Sequence, residues 1–263
     1  MLQHGNEQDG TFKSLFISVL VTAALLYFVI GQLGANHSAT LKPEKLPDFD
    51  QYQDIDQRKQ AFFDYLSKRV TIVNQQIQQQ RSEVVKLATA FEQEQTLTQD
   101  QWERVFEIAK EYRVDEAEIQ PSPDLLLKLK RRVAPIPESL VLAQAANESA
   151  WGRSRFAKEG NNLFGQWCFE PGCGIVPKNR PEGETYEVAQ FARPIDSVRS
   201  YMMNLNTFHA YSELRSIRYN HLEQGKKVSG SLLAEGLEQY STRGEEYVKE
   251  IQLMIEQNEL EAR

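Results

Sequence analysis

One glutamate stands out for the company it keeps. In the run Leu142–Gly165, LAQAANESAWGRSRFAKEGNNLFG, Glu148 lies between Asn147 and Ser149 at the end of an apolar stretch. Trp151 and Gly152 follow at once, and the turn Asn161-Asn162-Leu163-Phe164-Gly165 comes some ten residues later. A carboxylic acid on a rigid element can protonate a glycosidic oxygen, while amides read sugar hydroxyls. A glycosidic bond is therefore the first substrate these residue types suggest. The ordinary alternative is that Glu148 is simply one of 37 acidic residues in the chain.

The element that must carry Glu148 is a helix. Pro135 and Pro137 suit its entry, where their missing N–H groups cost nothing, and Gly152 supplies a stop just past its end. Val141, Gln144, Glu148 and Trp151 recur at helical spacing and share one face. Leu140, Leu142, Ala143, Ala145, Ala146 and Ala150 make most of the remaining surface apolar, which marks a buried helix. Partial burial and the negative end of the helix dipole both disfavour a charged carboxylate, so the pKa of Glu148 should rise. A general acid needs that shift to keep its proton near neutral pH.

Trp151, Trp167, Phe164, Tyr201 and Tyr240 could stack on pyranose faces, or they could fill the core as aromatics commonly do. Asn161 and Asn162 offer amide hydrogen bonds to a sugar, or they serve the turn that Gly160-Asn161-Asn162 signals by itself.

Composition narrows the function. The chain has 263 residues and a net charge of −7, with no basic stretch denser than Lys128-Leu129-Lys130-Arg131-Arg132. That balance argues against a nucleic-acid partner, and the short basic run reads as a solvated helix end. Leu15–Gly31 is an uncharged apolar run of 17 residues, at the short limit for a membrane span. No small-x-small cleavage site follows it, which favours an uncleaved anchor over a signal peptide. Cys168 and Cys173 flank Phe-Glu-Pro-Gly, a tight-turn sequence consistent with a disulfide in an oxidising compartment. A metal site is not expected: there is no second cysteine pair, and His4, His37, His209 and His221 show no ligand spacing. These features place the carboxyl-terminal bulk outside the cytoplasm, with a membrane contact through the N-terminal helix.

Along the chain, 1–14 reads as a polar cytoplasmic tail, 15–31 as the anchor or signal segment, and 32–55 as a mobile linker. Phe62, Leu66, Val70, Val73, Ile77, Val84, Leu87 and Phe91 predict a long amphipathic helix from about Gln57 to Glu94. Its run Asn74-Gln75-Gln76, Gln78-Gln79-Gln80 reads as a solvated face. Thr98-Gln99-Asp100-Gln101 is a capping box opening a second helix, and Ser122-Pro123-Asp124 opens a third. Together 56–130 form a helical extension ahead of 131–263. In the latter, Thr185–Phe191 alternates as a strand, and helices follow, the first capped by Asp196.

The segment Ala143–Gly152 with Asn162-Leu163-Phe164-Gly165 resembles the signature of the glucosaminidase domain of glycoside hydrolase family 73. Gln166–Phe169, Asp196–Thr207, Leu233–Leu237 and Tyr240–Tyr247 bring it closest to the bacterial Bax group within that class. The similarity covers about residues 131–263. It implies a mainly α protein: a lysozyme-like helical domain with a small β-hairpin, preceded by the helical extension and one N-terminal membrane-spanning helix. It further implies an endo-β-N-acetylglucosaminidase acting on peptidoglycan glycan strands, without a cofactor, in the bacterial periplasm and tethered to the inner membrane. Glu148 matches the family's acid and Tyr240 a tyrosine near its cleft. Gln144, Trp151, Asn161, Asn162, Phe164 and Tyr201 are the substrate-binding candidates.

The family often carries a second carboxylate on the first hairpin strand. The corresponding stretch here, Gly174–Arg180, has none, and Glu182, Glu184 and Glu187 are the nearest acids. Three routes follow: one of those glutamates, Glu184 first because it opens the second strand; water held by Tyr240; or attack by the substrate's own acetamido oxygen with Tyr240 orienting it. The alternatives to hydrolysis are lytic transglycosylase-type cleavage by a single glutamate and a non-hydrolytic, membrane-tethered wall-binding scaffold.

Overall fold

The computed structural model describes residues 42–263. The expected tail (1–14), the apolar run Leu15–Gly31 and the first part of the linker lie outside the described residues. Among the described residues no helix is long and apolar enough to cross a membrane.

Glu44–Arg263 form one compact unit. Its spine is α1, Ile55–Glu94, whose Asp54 cap accepts the Gln57 N–H at 2.8 Å. The capping box forms in both directions at the start of α2, Gln99–Glu111. Ser122 caps α3, Pro123–Arg132. Next come α4 (Glu138–Ser149) and α5 (Arg155–Gly160). After the strands follow α6 (Pro194–Thr207), α7 (Ser212–Glu223), α8 (Gly230–Ala234) and α9 (Glu245–Gln257). Asp196 does not cap α6; it lies in the first turn and pairs with Arg193 at 2.7 Å and Arg199 at 3.1 Å.

Two apolar clusters hold the unit, and α1 belongs to both. Phe62, Phe63, Leu66, Val70, Val73 and Ile77 pack with α4, α6, α8 and α9 in the main core. Val84 and Ala88 pack with α2 and α3 in the second. No break therefore falls between 130 and 131, because the segment expected as an extension supplies one wall of the main core. The end of the expected linker is also packed: Phe49 is buried, and Leu46 and Tyr52 lie against the same core.

The expected hairpin is a three-stranded antiparallel sheet, β1 (Trp167–Cys168), β2 (Gly174–Ile175) and β3 (Glu187–Ala189), with β3 in the middle. Its register pairs Trp167 with Val188, Cys168 with Glu187, Gly174 with Ala189 and Ile175 with Val188. β2 ends well before Arg180 because Pro177 cannot donate to a ladder. Gly174 is obligatory, since a Cβ there would meet the Val188 carbonyl oxygen at 2.1 Å.

Candidate active site

Glu148 occupies the last turn of α4, and the chain leaves that turn by an unusual route. Ala150, Trp151 and Gly152 all adopt positive φ, at 49°, 61° and 76°. The left-handed stop thus begins two residues before the glycine that the sequence marks. Ser149 locks it: its hydroxyl donates to the Ala145 carbonyl at 2.6 Å and accepts the Gly152 N–H at 2.7 Å. Gly152 is needed for its φ and for space, because a Cβ would meet Phe49 at 2.8 Å. Trp151 turns away into the protein, edge-on to Phe62 and Phe63 at 6.0 and 5.1 Å between ring centres. It props the helix end.

The carboxyl of Glu148 is held by a directed chain of hydrogen bonds. The Tyr201 hydroxyl donates to Gln144 Oε1. Gln144 Nε2 donates to the Tyr247 oxygen at 2.8 Å, and the Tyr247 hydroxyl donates to Glu148 Oε1 at 2.7 Å. The Asn147 amide, at 3.5 Å, also reaches Oε1. Among the described residues nothing donates to Oε2. Since Oε1 is committed as an acceptor, a proton on this carboxyl belongs on Oε2. Burial pushes the Glu148 pKa up, while the Tyr247 and Asn147 bonds and the charge of Arg243 pull it partly back. The proton is thereby retained to higher pH than on an exposed glutamate.

Tyrosines surround the acid. The rings of Tyr240 and Tyr247 stack at 5.2 Å and 9°, and Tyr211 lies 6.1 Å from Tyr240. The half-buried Tyr240 donates to the Phe164 carbonyl at 3.2 Å. Burial raises the phenol pKa of Tyr201, Tyr240 and Tyr247, and that of Tyr211 to about 12, so all stay protonated.

Several residues expected to touch substrate do other work. Gln144 is fully buried inside the chain described above. Tyr201, 1 % exposed, stacks on the buried Phe164 at 3.9 Å. Asn161 accepts the Leu46 N–H at 3.0 Å and donates to the carbonyls of Glu44 and Phe191, each at 2.9 Å. Asn162 donates to the carbonyls of Gln166 and Ala189 and accepts the N–H groups of Phe164 and Gln166. With four bonds to backbone, Asn162 has no capacity left for a sugar. Both asparagines pin the sheet to α5 and to the incoming chain.

The hairpin acids divide. Glu187 is buried and accepts the N–H groups of Gly172 at 3.1 Å and Gly174 at 2.8 Å, which hold its carboxyl below the usual range. Glu182 and Glu184 are exposed, and Glu184 sits in the loop before β3 rather than opening the strand. Cys168 and Cys173 are bridged, with Cα atoms 6.2 Å apart. The bridge and Glu187 stiffen the turn beside Trp167, which is 57 % exposed and stacked on Tyr186 at 4.4 Å. The two sulfurs and Glu187 cluster closely, but the disulfide removes both thiolates as metal ligands.

Tyr247 is the partner that spacing alone did not single out as a site residue. Its signal was present but ambiguous, since with Val248, Ile251 and Ile255 it reads as the apolar face of α9.

The family model for glucosaminidase, described as mannosyl-glycoprotein endo-beta-N-acetylglucosaminidase, matches residues 125–260. Protein bax of Escherichia coli (strain K12) is 32 % identical over 225 residues, spanning 83 % of this chain and 76 % of that protein. The chain belongs to the glucosaminidase family. Its members are glycosidase-type hydrolases, and Glu148 with its tyrosine collar lies inside the matched segment. The catalytic domain of the autolysin Auto from Listeria monocytogenes aligns over 88 % of this chain and 96 % of its own, at 16 % identity and a TM-score of 0.38. That superposition is too loose to bear on the fold.

Proposed function

We propose that this glucosaminidase cleaves peptidoglycan glycan strands at N-acetylglucosamine, as an endo-β-N-acetylglucosaminidase with Glu148 as the general acid. The observation that carries the reading is the state of that carboxyl. Burial raises its pKa, Tyr247 fixes Oε1, and Oε2 is left to deliver a proton to the leaving glycosidic oxygen. The matched family supplies the bond class, and the resemblance to family 73 glucosaminidases, whose members act on peptidoglycan, supplies the polymer. The exposed Trp167, on a sheet stiffened by the disulfide, offers a flat apolar face for a pyranose ring.

The second half of the reaction uses no carboxylate of the sheet. Glu187 already holds two backbone N–H groups, so it is a poor base, and Glu182 and Glu184 sit on an exposed loop. The substrate's own acetamido oxygen is then the nucleophile. Tyr240 orients that arm, its ring fixed by Tyr247 and its hydroxyl oxygen still able to accept the acetamido N–H. The lysozyme-like helical lobe named by the resemblance supplies the frame for such a cleft.

The same tied-up Glu187 favours one second reading, lytic transglycosylase-type cleavage by a single glutamate. Mass analysis of products from purified sacculi separates them. Fragments ending in a reducing N-acetylglucosamine, heavier by one water, support hydrolysis, whereas anhydro ends support the transglycosylase. Binding without any cleavage would leave only the scaffold. The bridged cysteines accord with an oxidising, exported setting, and Leu15–Gly31 would tether the protein there at the inner membrane.

A further inference from the structure

The basic run that ends α3 faces a cavity that the glycan reading does not use. Lys128, Arg131 and Arg132 form one wall of a space of about 230 Å3, and the first turns of α7 form the other with Ser212, Arg215 and Ser216. Four cations there meet one carboxylate, Asp124, in a chain that is acidic as a whole. Lys128 is already paired with Glu118. Arg132 Nη1 donates to the carbonyls of Tyr112 and Arg113. Arg131 lies 5.2 Å from the Tyr219 ring, with no carboxylate partner among the described residues.

Arg215 is the strongest sign of a missing ligand. It is only 7 % exposed, yet no acid pairs with it among the described residues. Its Nη1 donates to the carbonyls of Leu205 and Phe208 at 3.0 and 2.7 Å, no other hydrogen bond of its guanidinium forms among the described residues, and the residue lines the cavity. Burying a guanidinium without a counter-charge is costly, and an anion in the cavity would supply one. Burial first, and Arg132 nearby, push its pKa down to about 10.

We propose that this cavity between α3 and α7 is a phosphate-binding site, read by Arg131, Arg132 and Arg215 with the hydroxyls of Ser212 and Ser216. Charge decides for phosphate over a carboxylate. With Lys128 committed to Glu118, three arginines against Asp124 leave an excess of two positive charges, and a phosphomonoester carries about −1.5 to −2. Guanidinium forks and small hydroxyls also fit its several acceptor oxygens. The site stands independently of the proposed glycan cleavage.

The test titrates the full chain with inorganic phosphate at constant ionic strength, with chloride as the control, and reads binding by calorimetry and protein NMR. Saturable binding is expected with phosphate and not with chloride. Arg131→Gln and Ser216→Asp, both outside the buried core, should each weaken it tenfold or more while leaving thermal unfolding and sacculus cleavage unchanged. Arg215→Gln should do the same, although its lost carbonyl bonds make the other two variants the decisive ones. No saturable binding, or binding untouched by Arg131→Gln and Ser216→Asp, overturns the proposal. So does loss caused instead by Lys226→Gln, which lies in a neighbouring basic cavity with Arg81 and Arg218. Phosphatidylcholine vesicles with and without phosphatidic acid identify the source. Competition by the acidic vesicles alone supports a lipid phosphate at this site, and free phosphate bound without competition supports a soluble one.

Discussion

Replacing Tyr247 by phenylalanine removes one oxygen and tests the geometry around Glu148. That oxygen accepts from Gln144 Nε2 at 2.8 Å and donates to Glu148 Oε1 at 2.7 Å. Gln144 is fully buried, so its donor would be left without a partner, at a cost of about 1–3 kcal/mol. In a unit of this size each kcal/mol lowers Tm by about 2–4 °C, so a fall of roughly 2–12 °C follows. The catalytic consequence has a definite sign. The hydroxyl stabilises the charged carboxylate, so its loss raises the Glu148 pKa further and the acid keeps its proton to higher pH. The alkaline limb of kcat/KM should therefore move up. The rate at the optimum should fall by about tenfold or more, because general acid catalysis depends on a positioned proton. The assay is cleavage of dye-labelled sacculi across a pH series, alongside thermal unfolding. An alkaline limb that stays put or moves down, with the rate at the optimum intact, would refute the claim that Tyr247 holds the acid.

Glu148→Gln should cut cleavage by about a hundredfold or more. Because burial raises the native pKa of Glu148, its charged form opposes folding once the pH exceeds that pKa. The variant should thus match or exceed the wild-type Tm at neutral pH and gain nothing at acid pH, where Glu148 is already neutral; retention of a tenth of the turnover would remove it as the acid. Among Tyr240→Phe, Glu182→Gln, Glu184→Gln and Glu187→Gln, the first should lose most activity, and Glu187→Gln should mainly lower Tm. A hundredfold loss in Glu184→Gln with Tyr240→Phe nearly normal would name Glu184 as the base instead. Trp167→Ala should raise KM several-fold with kcat little changed, whereas an unchanged KM would exclude it as a sugar platform. Unreduced protein should show Cys168 and Cys173 unalkylated and two hydrogens lighter, and alkylation of both would contradict the bridge.

The sequence was most legible where one local rule decided the outcome. The Thr98 capping box, the Ser122 cap and the stripe of α1 all follow from neighbours within a few positions. What stayed hidden depends on partners far along the chain. Asn161 and Asn162 carry the same amides whether they bind a sugar or the backbone, and only the positions of Glu44, Ala189 and Phe191 show which. Gln144 and Tyr201 share faces with functional residues, but Tyr247, some hundred positions after Gln144, draws both into a buried chain around Glu148. Strands of two residues leave no alternation to read, so nothing in the sequence marks β1, and the strand that Glu184 is expected to open begins three residues later.

The family match begins at residue 125, yet the wall behind Glu148 comes from before it. Trp151 leans on Phe62 and Phe63, Gly152 leaves room only for Phe49, and Asn161 is tied to Glu44 and Leu46. The three consecutive left-handed residues after α4 need such support, because Ala150 and Trp151 do not favour that conformation on their own. α1, about 60 Å long, spans both apolar clusters and gives six of its eight buried residues to the main core. The alignment with Protein bax covers 83 % of the chain and so reaches well beyond the matched segment into this spine. A piece starting at 125 would keep Glu148, Tyr240 and Tyr247 but expose the main core and free Trp151. The acid's position is thus a property of the whole unit from Glu44 onward, because the segments ahead of the match support the turn that follows it.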